Sequence, residues 1–331
     1  MTFLYLTLGL IALSWGAEWL VRGASRIAAS LRISPLVIGL TVVAFGTSMP
    51  EMVAGAVAAW TGNTDIVLGN VLGSNIANIG LILGIAALLR PIPVHLRTLQ
   101  REMPLMLAAT VLVYLLARNG EIGRVAGVVL LVALLGFTWM TLRWARGETE
   151  PETGSATEST TGRPVTAAGE SEGAATAPER RPPAHLGIEC GRVLVGLVGL
   201  GVGAQLLVGS ALQLARQFGV SEFVISVSLV ALGTSLPELA TSVVAALRGE
   251  TDVLVGNIVG SNIFNLLGAL GVGAVIRPLP VSGEIVAFDI PAVLLLSIAM
   301  TLGLGLHRAM VRWEGALLLA GYAAYIGRLV L

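Results

Sequence analysis

Residues 44–84 read AFGTSMPEMVAGAVAAWTGNTDIVLGNVLGSNIANIGLILG, and residues 231–271 read ALGTSLPELATSVVAALRGETDVLVGNIVGSNIFNLLGALG. One register of 187 residues aligns the two without a gap, and 21 of the 41 positions are identical. What repeats is unusual for apolar segments: a glutamate just after a proline, hydroxyls, and Gly-Ser-Asn runs. Polar groups inside a membrane are expensive and mark function by default, so a duplicated set predicts a two-fold site.

Working outward, the whole chain is apolar: 55% hydrophobic and 12% charged residues, with mean hydropathy +0.85. A bilayer crossing takes about 20 apolar residues. Ten runs reach that scale, at 3–27, 34–60, 65–89, 103–118, 122–144, 187–215, 222–248, 252–276, 286–306 and 310–330. The expected fold is an all-α polytopic membrane protein. The first run has no basic start and continues through Trp19, so it reads as a span rather than a signal peptide. Cys190 is the single cysteine, which excludes an intramolecular disulfide and a cysteine metal site. Net charge is zero, and no basic-aromatic cluster suits nucleic acid.

All 20 basic residues are arginine. With the N-terminus outside, 15 of them fall in inside loops and 5 outside, so the positive-inside rule places both termini outside the cytoplasm. Residues 147–186, rich in Glu, Ser, Thr, Gly and Pro, then read as a disordered cytoplasmic linker. A calcium-sensing role would require loop-type ligand spacing, which its scattered acids lack. The linker divides the chain into a first five-helix repeat, 1–146, and a second, 187–331. The register extends beyond the core motif: Gly16-Ala17 matches Gly203-Ala204, Arg90-Pro91 matches Arg277-Pro278, and Pro104 matches Pro291. An odd number of spans per half inverts the second half, giving ten transmembrane helices as two inverted five-helix repeats with a site near the midplane.

Thr47, Ser48 and Glu51 share one helix face. Pro50 lacks an N–H, which strips the Gly46 carbonyl of its usual partner and kinks the span there. Broken backbone at this depth is tolerated where it lines a cavity or is buried in protein. Gly233, Thr234, Ser235, Pro237 and Glu238 repeat every element. The third span adds Ser74, Asn75 and Asn78, and the eighth Ser261, Asn262 and Asn265. Carboxylates, amides, hydroxyls and freed carbonyls are hard oxygen ligands suited to calcium, and two negative charges match one divalent cation or two monovalent ones.

Other polar residues have plainer readings. A lone membrane hydroxyl usually bonds its own helix, and Gly69/Gly73 and Gly256/Gly260 are small-xxx-small packing pairs. Glu18 has Arg22 four residues on and reads as an ion pair. Asp65 and Asp252 read as helix caps, and Glu102 and Asp289 as acids at helix starts. His95 and His307 fall in loops.

The pair GTSMPE at 46–51 and GTSLPE at 233–238, each followed by a GSNIxN stretch, resembles the two alpha-repeats of the calcium/cation antiporter superfamily, and within it prokaryotic sodium/calcium exchangers. The alpha-1 motif is 44–84 and the alpha-2 motif 231–271. The resemblance implies Glu51 and Glu238 as central ligands for calcium and sodium, with carbonyls of Thr47 and Thr234 for calcium. It implies Ser48, Ser74, Ser235 and Ser261, with the carbonyls of Ala44 and Ala231, at flanking sodium positions, and Asn78 and Asn265 lining the middle. It also implies that the first and sixth spans slide across the core, where the glycines at 199, 201 and 203 would suit loose packing. Some members carry aspartate where Asn265 stands, associated with potassium co-transport; asparagine leaves two core acids and favours a potassium-independent exchanger.

The expected function is sodium/calcium antiport by alternating access, with calcium, sodium and the lipid bilayer as partners. No cofactor and no obligatory protein partner are expected. The alternative is a calcium/proton antiporter of the same superfamily. A channel would lack coupling, and an intramembrane enzyme would need a Cys/His pair or His cluster that the spans do not contain. A multi-pass protein of the cell membrane is expected.

Overall fold

The computed structural model describes residues 2–147, 185–217 and 233–330. The predicted linker and residues 222–232 of the seventh predicted span therefore fall almost wholly or wholly outside the described residues. What is described is overwhelmingly helical. In chain order the helices are α1 (Thr2–Leu31), α2 (Pro35–Thr47), α3 (Met49–Thr61), α4 (Thr64–Leu89), α5 (Leu96–Ala117) and α6 (Arg124–Gly147). After the linker come α7 (Leu186–Gln217), α8 (Leu236–Arg248), α9 (Thr251–Ile276), α10 (Ile285–His307) and α11 (Arg312–Val330). Seven of these are long and apolar enough to cross a membrane, and the bent pair α2–α3 passes the same test as an eighth if taken as one span. Helix α11 runs 19 residues and falls outside that set, and α8 is the described half of the seventh predicted span.

Burial is arranged inside out, as a lipid solvent demands. Phe3, Val125 and Leu306 are each more than 70% exposed, while Glu51 and Glu238 are 0% and 1% exposed. Helices α4 and α9 lie at the centre: 78% and 89% of their apolar windows are buried, against 22–33% for α1, α5, α6, α7 and α10. They are the helices that carry the Gly-Ser-Asn runs. Gly256 and Gly260 of α9 let α2 approach until a Cβ would stand 2.6 Å from the Leu36 carbonyl oxygen and 2.7 Å from that of Leu40. No described atom lies within 4 Å of such a Cβ on Gly69 or Gly73.

Four short strands join the two halves. β1 (Ile92–Pro93) pairs antiparallel with β4 (Ala309–Met310), and β2 (Glu121–Ile122) with β3 (Leu279–Pro280). Each ribbon takes one strand from each repeat, and the register relates β1 to β3. The matched arginines cross over too. Arg277 donates Nε–H to the Ala59 carbonyl at the end of α3, and the Arg90 guanidinium lies against Gly249, which ends α8. Gly62 and Gly249 end α3 and α8 at φ 91° and 73°, left-handed conformations that favour glycine. A guanidinium beside each helix C-terminus complements the partial negative charge there.

Helices α1 and α7 pack backbone to backbone through glycines seven residues apart. A Cβ on Gly16 would meet the Leu200 nitrogen at 2.7 Å, one on Gly196 the Leu20 nitrogen at 2.7 Å, and one on Gly203 the Leu13 nitrogen at 2.6 Å. The expectation of loose packing at Gly203 is thus corrected: absence of a side chain serves close approach. Gly199 touches Gly16, and only Gly201 of the three faces open space.

Several start positions also differ from expectation. Asp65 and Asp252 are not caps; Asn63 and Glu250 hold those positions, and both aspartates lie in the first turn. Glu102 lies inside α5, which begins at Leu96 rather than 103, and Asp289 lies inside α10, accepting a bond from Tyr325 at 3.1 Å. Pro104 and Pro291 do not start their helices, because the preceding residues gain helical bonds from their own turns. The Glu18–Arg22 pair forms at 2.6 Å, and Arg248 joins it from α8.

Candidate cation-binding site

The second span breaks at Ser48, where φ −83° and ψ 0° leave the helical basin and the axis bends by 43°. Pro50 sits in the first turn after the break, where its missing N–H costs nothing. Ser235 repeats the geometry at φ −86° and ψ 4°, with Pro237 in the matching place. Each break puts a glutamate in the first turn of a new helix, Glu51 in α3 and Glu238 in α8. There the unpaired N–H groups and the positive end of the helix favour a carboxylate. Near the end of α2 the Ala44 carbonyl accepts the Ser48 N–H at 3.0 Å, across the break.

The two breaks are cross-linked. Ser48 Oγ donates to Glu238 Oε1 at 3.1 Å, and Ser235 Oγ donates to Glu51 Oε1 at 3.3 Å. Each carboxylate is thus held by the serine of the other repeat. Ser235 Oγ also lies 3.1 Å from Ser74 Oγ, and Thr47 Oγ1 lies 3.5 Å from Ser261 Oγ. The second oxygens of both glutamates, Oε2, are buried without a hydrogen-bond partner, as are both amide atoms of Asn78 and Asn265. Leaving buried polar atoms unpaired is costly, so this concentration makes the region around the two glutamates the candidate cation site. Asn75 instead donates to the Val71 carbonyl of its own helix at 2.7 Å, while both amide atoms of Asn262 are unpartnered.

Asn78 and Asn265 stand in wider π-helical turns, Ala77–Leu83 in α4 and Phe264–Ala269 in α9. Such turns are frequent at functional sites. Of the predicted residues, Ala44, Thr47, Ser48, Glu51, Ser74, Asn78, Ser235, Glu238, Ser261 and Asn265 are all buried, and Thr234 is half-buried. Ala231 lies outside the described residues. Among the described residues no group of three or more His, Cys, Asp or Glu side chains is placed to hold a metal. The site's formal charge is therefore two carboxylates, set among neutral oxygens. That donor set suits hard cations.

Four further buried polar residues accompany these. Asn70 and Asn257 sit at one register and accept from the opposite threonines: Thr234 Oγ1 to Asn70 Oδ1 at 3.2 Å, and Thr47 Oγ1 to Asn257 Oδ1 at 3.0 Å. Their identity in both copies is the signal that finds them. Thr241 and Ser242, both fully buried, occupy the places of Ala54 and Gly55 and make the Glu238 half richer in hydroxyls. Comparing the copies for differences reveals those two.

Residues 1–143 and 190–331 match the sequence profile of the sodium/calcium exchanger protein family. The chain belongs to that family. This exchanger-family chain is 38% identical to CaxA of Alkalimonas amylolytica over 325 residues, 97% of the chain and 96% of the relative. It is 33% identical to the sodium/calcium exchanger MaX1 of Methanosarcina acetivorans, covering 98% of the chain and 97% of that protein. The solved structure of the sodium-calcium exchanger NCX_Mj without sodium or calcium superposes with a TM-score of 0.82 at 31% identity, over 99% of this chain and 98% of the other. The resemblance of the two motifs to the calcium/cation antiporter superfamily therefore extends through both halves of this exchanger-family chain.

Proposed function

We propose that the chain is a sodium/calcium antiporter that moves calcium against sodium by alternating access at a single midplane site. The observation that carries this reading is the crossed pair of bonds from Ser48 to Glu238 and Ser235 to Glu51. It ties both repeats into one cage whose remaining carboxylate oxygens have no protein partner. Two buried carboxylates repel each other and have lost hydration, which costs several kcal/mol per ion unless opposite charge enters. One calcium or two sodium ions supply the same compensation, so occupancy by either excludes the other.

In this reading Glu51 and Glu238 are shared ligands, and the carbonyls of Thr47 and Thr234 serve calcium. Ser48, Ser74, Ser235 and Ser261, with the carbonyls of Ala44 and Ala231, serve flanking sodium ions, and Asn78 and Asn265 line the centre. The molecule is ten spans in two inverted halves. The strand ribbons support the inversion. The connection after span three pairs with the one between spans nine and ten, and five-span halves put these on one membrane face. Both termini are extracytoplasmic, and residues 147–186 are a cytoplasmic linker. The glycine-packed pair α1–α7 is the body that slides past the core.

Reconstituted protein tests the counter-ion. Calcium uptake into liposomes should follow an imposed sodium gradient at constant pH. Uptake that follows only a pH gradient in sodium-free buffer would replace sodium with protons.

A further inference from the structure

A threonine hydroxyl in a helix ordinarily bonds a carbonyl three or four residues back. Thr47 has that option: its Oγ1 lies 3.4 Å from the Ala44 carbonyl oxygen. It also lies 3.0 Å from Oδ1 of Asn257, on α9. One hydroxyl hydrogen serves one acceptor well, and the shorter contact is to the amide. Asn257 is fully buried and anchored for this task, because its Nδ2 donates to Ser242 Oγ at 3.2 Å. The Ala44 carbonyl already accepts the Ser48 N–H at 3.0 Å. A carbonyl has two lone pairs, so one direction is left.

We propose that Asn257 is a positioning residue that draws off the Thr47 hydroxyl hydrogen and so keeps the second lone pair of the Ala44 carbonyl open to a cation. This rests on the ion site proposed above and deepens it. Asn70 occupies the equivalent place opposite Thr234, at 3.2 Å, with its own Nδ2 donating to the Glu51 carbonyl at 3.3 Å. The anchors differ because the place of Ser242 is taken by Gly55 in the first repeat. An amide suits the role in an oxygen site: it accepts the hydrogen without adding a third negative charge.

The consequence is a rescue that simple packing does not produce. Asn257→Ala releases the Thr47 hydroxyl onto the Ala44 carbonyl, blocking it; Thr47→Val in the same chain removes the blocking group. Sodium-induced and calcium-induced melting shifts of the purified full-length protein report both half-saturation concentrations. N257A should raise the sodium value about tenfold, the scale of one hydrogen bond around a charged group. The T47V/N257A double variant should return to within about twofold of T47V alone. A double variant as weak as N257A, or weaker, overturns the proposal. If N257A yields no folded protein, Ser242→Ala loosens the same amide and should weaken sodium about threefold, again relieved by T47V; an unrelieved loss overturns the proposal equally. A wild-type protein whose melting ignores sodium would instead refute the ion site itself.

Discussion

At the scale of single residues, the proposed chemistry rests on Glu51 and Glu238, two buried carboxylates that no basic residue pairs with among the described residues. Glu51→Gln or Glu238→Gln removes half the cage charge while keeping side-chain shape. Each should abolish calcium uptake by proteoliposomes, and retained exchange in either would refute a shared site. These glutamates were legible in the sequence because a buried charge repeated after a proline has few structural uses. Ser48, Ser235 and the two threonines were legible by company: each precedes a glutamate by three or four residues in the chain. Asn70 and Asn257 carry the same duplication, yet an asparagine one turn from a glycine in an apolar helix also reads as packing. Only the fold brings each beside the opposite threonine, and no spacing within one segment encodes that contact.

At the scale of helices, the break in the second span followed from Pro50, since a proline removes one helical bond and crowds the carbonyl four residues back. The π-helical turns that carry Asn78 and Asn265 had no such marker. A widened turn is set by what packs around the helix, and local propensity barely distinguishes it from an α-turn. Glycine use on α7 also depended on partners absent from the local sequence: Gly201 and Gly203 look alike in the chain but face different surroundings. Gly203→Ala should destabilise the protein by about 1–3 kcal/mol, because its Cβ would enter the backbone of α1. Gly201→Ala, with nothing within 4 Å, should hold or raise stability by up to about 1 kcal/mol. Thermal unfolding of the two variants in the same detergent checks the contrast; equal losses would show that the glycines do not zip the pair.

At the scale of the molecule, duplication supplied most of the plan. Span lengths, the register and the arginine distribution together lead from sequence to the proposed inverted two-fold arrangement. The ribbons were illegible, because two-residue strands carry no periodicity. They matter all the same, since each ties one repeat to the other. The repeats are unequal in detail: Thr241 and Ser242 enrich one half of the site, and Glu18 is fastened to Arg248 whereas its register mate is Gln205. Sequence comparison of the copies exposes those differences, but only the fold tells which of them border the cage.

The central claim is that calcium and sodium occupy one cage in alternation. Titrating calcium into the purified protein at a series of fixed sodium concentrations tests it most directly. The apparent calcium dissociation constant should climb steadily with sodium, more steeply than in direct proportion, while the number of calcium ions bound stays fixed. A constant that levels off, or that ignores sodium and moves only with pH, would contradict a shared site.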